Sequence, residues 1–382
     1  MGRSAWARRA FRPGREEGVP SAGSGIGRSG GCRSSDNSTG SQFLAFVDGR
    51  KEEIVKVMRC RILIIVWALS GCGRLPEGGG GLHEVVAVAD SEDWASAGEL
   101  VRGALERVVR TPQEEKVFIV RIEPPEKFGF FRRWRNILLI ARLDTPEGTA
   151  DLVRSLLGRR VLKRIEDEGA VLGFRRDVWA RDQFFCALVA RDGEALREKA
   201  GEWGDAIFRM FEKALEERLS GWIYRHGEER GAEDMLRSRF GWSLRLPRGY
   251  RVERAGEGFV WVRKRTPERW IFVWWGDAPD TLDGAWLRAQ RDNIGARYYN
   301  GDRVVPQWLK EEAVEFAGRP AVRLSGIWEN PRFVAGGPFR CYGFQHEGRA
   351  YIVDVAVFVP GATKEPYLRQ VDLVARSFSF VR

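Results

Sequence analysis

Three patterns of apolar residues follow one another along the chain. Residues 1–57 show no regular spacing, Ile62 to Leu69 is an unbroken apolar run, and from Leu82 onward short runs alternate with stretches of helical spacing. LHEVVAVA (82–89) reads as a buried strand. Asp90 or Ser91 caps a helix reaching about Val109, with Glu92 and Asp93 in its first turn. KVFIVRIEPP is a strand stopped by Pro124 and Pro125, and RNILLIARL is another. A short helix ends near Leu157, and AVLGFRRDVWA and DQFFCALVAR read as strands or one bent ribbon. A long amphipathic helix from about Glu194 to Tyr224 carries Ile207, Met210, Phe211, Ala214, Leu215 and Leu219 on one face.

A second set of elements begins near Phe240. WSLRLPRGYRVERAGEGFVWVRKR gives two or three short strands with a turn at Pro247-Arg248-Gly249, and RWIFVWWGD is strongly β-prone. A helix spans about Leu282 to Arg297. PAVRLSGIWE, FRCYGFQHEG and AYIVDVAVFVP form a meander with a hairpin turn at Glu347-Gly348, and a last helix from Lys364 to Ala375 precedes a short strand. Neither set alternates strand and helix steadily, so the expected class is α+β: two packed halves, 82–238 and 239–382, each an antiparallel or mixed sheet with helices on one face.

The run at 62–69 is too short to span a bilayer, which takes about twenty residues. Arg59 and Arg61 precede it, and Leu69, Ser70, Gly71 and Cys72 follow in the order of a secretory signal ending in a cysteine. A signal acts at an N-terminus, so Met58 is the expected start, 58–71 the signal peptide and 1–57 a disordered or mis-annotated upstream segment. The glycines of GRLPEGGGG make 72–81 a flexible tether. This division changes the charge. The whole chain has 63 basic and 53 acidic residues, net +10; residues 1–71 hold 12 and 6 of them, leaving +4 for 72–382. That excess gives no case for nucleic acid.

Leu69-Ser70-Gly71-Cys72 resembles the lipobox of bacterial lipoproteins, which implies diacylglycerol on the Cys72 sulfur and cleavage before it. The order of features, with the blocks EVVAVADSEDW, RNILLIARL and RDVWARDQ and the C-terminal sheet, resembles the Bacteroidota envelope lipoproteins of domain of unknown function 4837, over nearly all of 72–382. The C-terminal half is also similar in strand order to the PsbP-like α/β/α sandwich. The resemblance implies a lipid-anchored envelope protein with the membrane as partner through Cys72 and supplies no activity; an envelope protein is a further candidate partner. Gly73 in place of an aspartate implies outer-membrane sorting, facing the periplasm.

Chemistry-bearing residues are sparse. His83, His226 and His346 stand apart and no CxxC occurs, so no metal site or cofactor is expected; nucleophile elbows and phosphate-loop motifs are missing after Met58, so no catalytic residue is named. Cys186 reads as a core residue, and a disulfide to Cys341 is left open. Asp177, Trp179, Arg181 and Gln183 have two readings: a polar ligand groove along a strand, or an ion-paired sheet edge with Trp179 covering the core. EKFGFFRRWRN (126–136) likewise either presses aromatics into lipid headgroups or packs them inward. Trp274 and Trp275 must face opposite sides of one strand. The function expected is that of a lipid-anchored binding or interaction module, with an envelope hydrolase as the alternative.

Overall fold

The computed structural model describes residues 75–381 and the backbone of Ala45–Phe46, a two-residue strand at the edge of the first sheet. Leu69, Ser70, Gly71 and Cys72, and the remainder of the upstream and signal segments, lie outside the described residues.

Three unbroken apolar runs build the first sheet. β1 (Glu84–Val88), β5 (Asn136–Arg142) and β7 (Phe184–Ala190) lie beside one another in parallel, and each alternates between two cores. Val85 and Ala87 of β1 face α1 (Ser91–Leu105) and α5 (Gly193–Tyr224). Val86 and Val88 face α2 (Phe128–Phe131), α3 (Thr149–Leu156) and α4 (Arg159–Glu168). The expected single helical face is therefore corrected to two, and the runs themselves are the reason. A strand apolar at successive positions has no polar side to turn to water. β4 (Ile119–Glu123) extends the sheet in parallel beside β1, and β6 (Ala170–Arg176) closes it antiparallel to β7. A small hairpin of β2 (Val108–Arg110) and β3 (Glu114–Lys116) stands apart.

The second sheet is antiparallel throughout. Its order is β9 (Arg251–Gly256), β10 (Phe259–Arg265), β11 (Glu268–Asp277), β16 (Arg349–Phe358), β15 (Ala335–His346) and β14 (Arg319–Asn330). β14 also pairs with β12 (Arg303–Val304) and β13 (Lys310–Phe316). α8 (Glu365–Ala375) and α6 (Arg230–Phe240) cover one face, and α7 (Gly284–Tyr298) the other. This layering is an α/β/α sandwich. β8 (Trp242–Ser243) and β17 (Ser379–Phe380) pair beside it. Leu236 of α6 belongs to this core, so the halves divide at about 225–229 rather than at 238. Trp275 joins the core under α8 and Trp274 the core under α7, as alternation requires. Cys186 and Cys341 are buried, free, and in different cores, so the disulfide does not form.

The halves pack as one body through charge. Glu115 of β3 accepts hydrogen bonds from the Lys364 N–H (2.8 Å) and Glu365 N–H (2.7 Å) that open α8, and from Thr111 Oγ1 (2.9 Å). A carboxylate from one half thus caps a helix of the other, where the helix dipole favours negative charge. Farther along α8, buried Arg369 donates to Glu365 (2.7 Å) and to Glu212 of α5 (3.0 Å), and Arg376 donates to Glu216 (2.7 Å). Removing the Glu115 carboxylate leaves two buried N–H groups unmet. Glu115→Ala should lower the unfolding free energy by about 2–3 kcal/mol, and Glu115→Gln by less, in urea titrations.

Candidate functional site

The block 177–183 forms a turn. β6 ends at Arg176, and Asp177 and Asp182 take the left-handed conformation (φ 52° and 61°), which aspartate tolerates better than most residues. Gln183 is 2% exposed. Its Oε1 accepts from the Trp179 N–H (3.0 Å), and its Nε2 donates to the carbonyls of Arg132 and Trp134 (both 2.8 Å). Trp179 packs edge-on against Phe128 and Phe185. Gln183 and Trp179 therefore hold the fold, while Asp177, whose Oδ1 accepts from the Gln183 N–H (3.2 Å), and Arg181 lie exposed.

The residues around this turn fasten the chain's described start. Arg181 N–H donates to the Pro76 carbonyl (2.8 Å), Gly78 N–H to the Arg181 carbonyl (3.0 Å), and Gly79 N–H to the Arg133 carbonyl (2.8 Å). Trp134 lies over Gly79 and Gly80, where Gly80 has φ 75° and a Cβ would run into the indole. Residues 76–81, expected as flexible tether, are instead a strap seated on the sheet's lower rim. Glycine suits the seat because the indole and neighbouring backbone come too close for a side chain. Beside the strap, Phe128 and Phe131 pack inward while Phe130 is 73% exposed, flanked by exposed Arg132 and Arg133.

At the opposite rim, β1 neighbours β4 on one side and β5 on the other, so the chain reverses its winding there. The carboxyl ends of strands at such a switch point are where open α/β sheets gather chemistry. Asp90 caps α1 through the Asp93 N–H (2.8 Å), and its own N–H donates to buried Thr149 Oγ1 (2.8 Å). Asp93 is fully buried, and neither carboxyl oxygen has a hydrogen-bond partner; Arg142 Nε lies 3.6 Å away. Burial first, and the Asp90 charge second, push its pKa up to about 7. Such a carboxyl can hold or release a proton near neutrality. Among the described residues no group of three or more His, Cys, Asp or Glu side chains is placed to hold a metal ion.

A third locus lies on the second sheet, under the end of α8. A cavity of ≈ 70 Å³ is bounded by Trp222, His226, Tyr250, Lys264, Arg269 and Gln370, among others, and an outer cleft of ≈ 370 Å³ by Arg251, Glu253, Arg263, Lys264 and Arg265. Lys264 belongs to both. Arg263 is paired to Glu268 and Arg265 to Glu253, whereas Arg251, Lys264 and Arg269 have no carboxylate in ion-pair contact among the described residues. The sequence shows all of these cations but Arg251 in RKRTPER, and the missing signal was register. Only the pairing of β10 with β11 sets Lys264 directly opposite Arg269.

Two family models match the chain: Domain of unknown function (DUF4837) at residues 229–377 and Domain of unknown function (DUF8532) at residues 78–222. The blocks EVVAVADSEDW, RNILLIARL and RDVWARDQ fall in the second match, so the first covers the C-terminal half rather than nearly all of 72–382. No curated protein matches. Solved structures that resemble the chain include a protein of Bacteroides thetaiotaomicron VPI-5482, with 8% identity and a TM-score of 0.25, covering 37% of this chain and 46% of that one. The cyanobacterial PsbP (CyanoP) of Synechocystis sp. PCC 6803 has 16% identity and a TM-score of 0.28, covering 37% and 86%. LpqN of Mycobacterium tuberculosis, described as involved in cell envelope biogenesis, has 10% identity and a TM-score of 0.26, covering 37% and 83%.

The folded chain holds the Asp93 proton more tightly than the unfolded chain does, so this group lowers stability as pH rises from about 4 to about 7. Asp93→Asn removes that dependence. Its stabilising effect should be roughly 2 kcal/mol larger at about pH 8 than at about pH 5 in urea titrations. Equal effects at both pH values would mean that Asp93 ionises normally.

Proposed function

We propose that this chain is a lipid-anchored protein of the cell envelope, attached through Cys72, facing the periplasm, and acting by binding a partner or ligand there. The observation that carries this reading is the strap. Pro76 is already hydrogen-bonded to the body, and Cys72 lies four residues before it. Four residues reach at most about 14 Å, so an acyl group on Cys72 would hold the strap's rim against the lipid.

That rim suits such a position. It presents exposed Phe130, which packs on Phe131 and Trp134, and the exposed cations Arg132, Arg133 and Arg181. Burying a phenylalanine contributes about 1.5–3 kcal/mol, and each basic residue at an anionic surface about 1 kcal/mol. Among the described residues no helix is long and apolar enough to cross a membrane, so attachment in this reading rests on the acyl chains and this rim.

Radiolabelled palmitate should enter the wild-type chain and not Cys72→Ser, and the variant should leave the membrane fraction in high salt. Equal membrane retention of the two would end the anchor reading. In the same Cys72→Ser background, Phe130→Ser should weaken binding to anionic vesicles about tenfold, as loss of one buried aromatic would.

A further inference from the structure

We infer that the cavity between Lys264 and Arg269 is a binding site for a phosphate group. The inference does not depend on acylation of Cys72, and it gives the C-terminal half a ligand class of its own.

The register carries it. Lys264 and Arg269 are direct cross-strand partners on β10 and β11, and their side chains lie on the same face of the sheet, the one beneath α8. Like charges placed directly opposite in an antiparallel pair destabilise it. No carboxylate is in ion-pair contact with either cation; Glu229, which accepts from the Gly249 N–H (2.7 Å), offsets part of the repulsion on Lys264 from a distance. Arg269 is 4% exposed, yet its guanidinium meets only neutral acceptors, the Tyr250 hydroxyl (3.2 Å) and the Pro267 carbonyl (3.3 Å). Lys264 donates to the Arg248 carbonyl (3.2 Å). Burial, and then the Arg269 charge, hold the lysine below its ordinary pKa. A buried guanidinium beside a half-buried ammonium, with no anion in contact, is a costly arrangement for a protein to keep empty.

The shape fits the same ligand. The inner cavity of ≈ 70 Å³ has room for a group the size of several waters, and the outer cleft of ≈ 370 Å³ lies in the range of small-molecule sites. Arg269 has five N–H groups and uses two on the protein, leaving the others for the cavity it lines. A guanidinium fork with a lysine point charge is the donor set that phosphate oxygens take, and a dianion matches two cations better than a single carboxylate does. Lys264 lines both spaces, so the group attached to the phosphate would lie along the outer cleft, where Arg251, opposite Arg263, supplies a cation from the other face of the sheet.

The test uses the full chain and two phosphate sources. Inorganic phosphate and glycerol 1-phosphate are titrated calorimetrically, and flotation is run with phosphatidic acid vesicles against phosphatidylcholine vesicles. Lys264→Gln should weaken phosphate binding at least about tenfold and Arg251→Gln by less. Binding of the soluble ester identifies a small phosphate ester, and Lys264-dependent flotation with phosphatidic acid alone identifies a lipid headgroup; either supports the site. Melting temperature supplies a second reading. Lys264→Gln relieves the repulsion, so the free variant should melt higher than wild type, whereas phosphate should raise the wild-type melting temperature and leave the variant's unchanged. A variant that melts lower and binds phosphate as wild type does, or a wild type that binds neither source, would overturn the assignment.

Discussion

The contact on which the arrangement of this molecule depends is the Glu115 carboxylate seated on the first turn of α8. It is the point where one half supplies a charge that the other half's backbone requires. The surrounding junction follows the same logic, with Arg369 of α8 and Arg376 just after it bonded to Glu212 and Glu216 on α5. Ion pairs of this kind add little net stability when buried, because desolvation offsets the attraction. What they supply is direction. An apolar contact would tolerate a slip of α8 along α5, whereas the cap and the two arginines do not. The cation-lined cavity inherits that precision, because α8 contributes Gln370 and Val374 to its wall and the end of α5 contributes Trp222 and Ile223.

The parts of this fold legible in sequence are those where one physical signal dominates. The unbroken runs of β1, β5 and β7, the cap at Asp90 and the Glu347-Gly348 hairpin each announce themselves locally. Burial on both faces was also present in those runs, since they leave no polar side for water. α4 stayed hidden because its ten residues contain three apolar ones among many charges, of which Val161 and Ile165 reach the core. α6 was hidden for the same reason, with Leu236 as its main anchor. β13 reads as a charged segment, KEEAVEF, because it pairs only at the sheet's margin.

The sites were less legible than the fold, and for a reason that applies beyond these residues. Composition marked Asp177, Trp179, Arg181 and Gln183 as polar and therefore available, yet the side chains of three of them are engaged by the turn they sit in. Glycine content marked 76–81 as loose, yet the lack of side chains is what lets Trp134 close over it. Conversely, Asp93 and Arg269 look ordinary in sequence, as a helix first turn and a strand residue. Their character comes from burial with poor charge matching, since Asp93 has Arg142 only at 3.6 Å and Arg269 meets only neutral acceptors, which only tertiary structure imposes. Places where local rules fail in an otherwise consistent fold are where function or strain is usually kept.

The two rims of the first sheet carry opposite characters, and the topology fixes which is which. The strap, Phe130 and the arginines lie where the parallel strands begin; Asp90, Asp93 and Arg142 lie where they end. Parallel strands of five to seven residues separate these rims by about 20 Å. Attachment at Cys72 would thus turn the basic, aromatic rim toward the lipid and the titratable carboxyl away from it. An anionic surface concentrates protons within about a Debye length, and Asp93 would sit beyond most of that field. Its proton would then follow the pH of the surrounding compartment rather than that of the membrane surface.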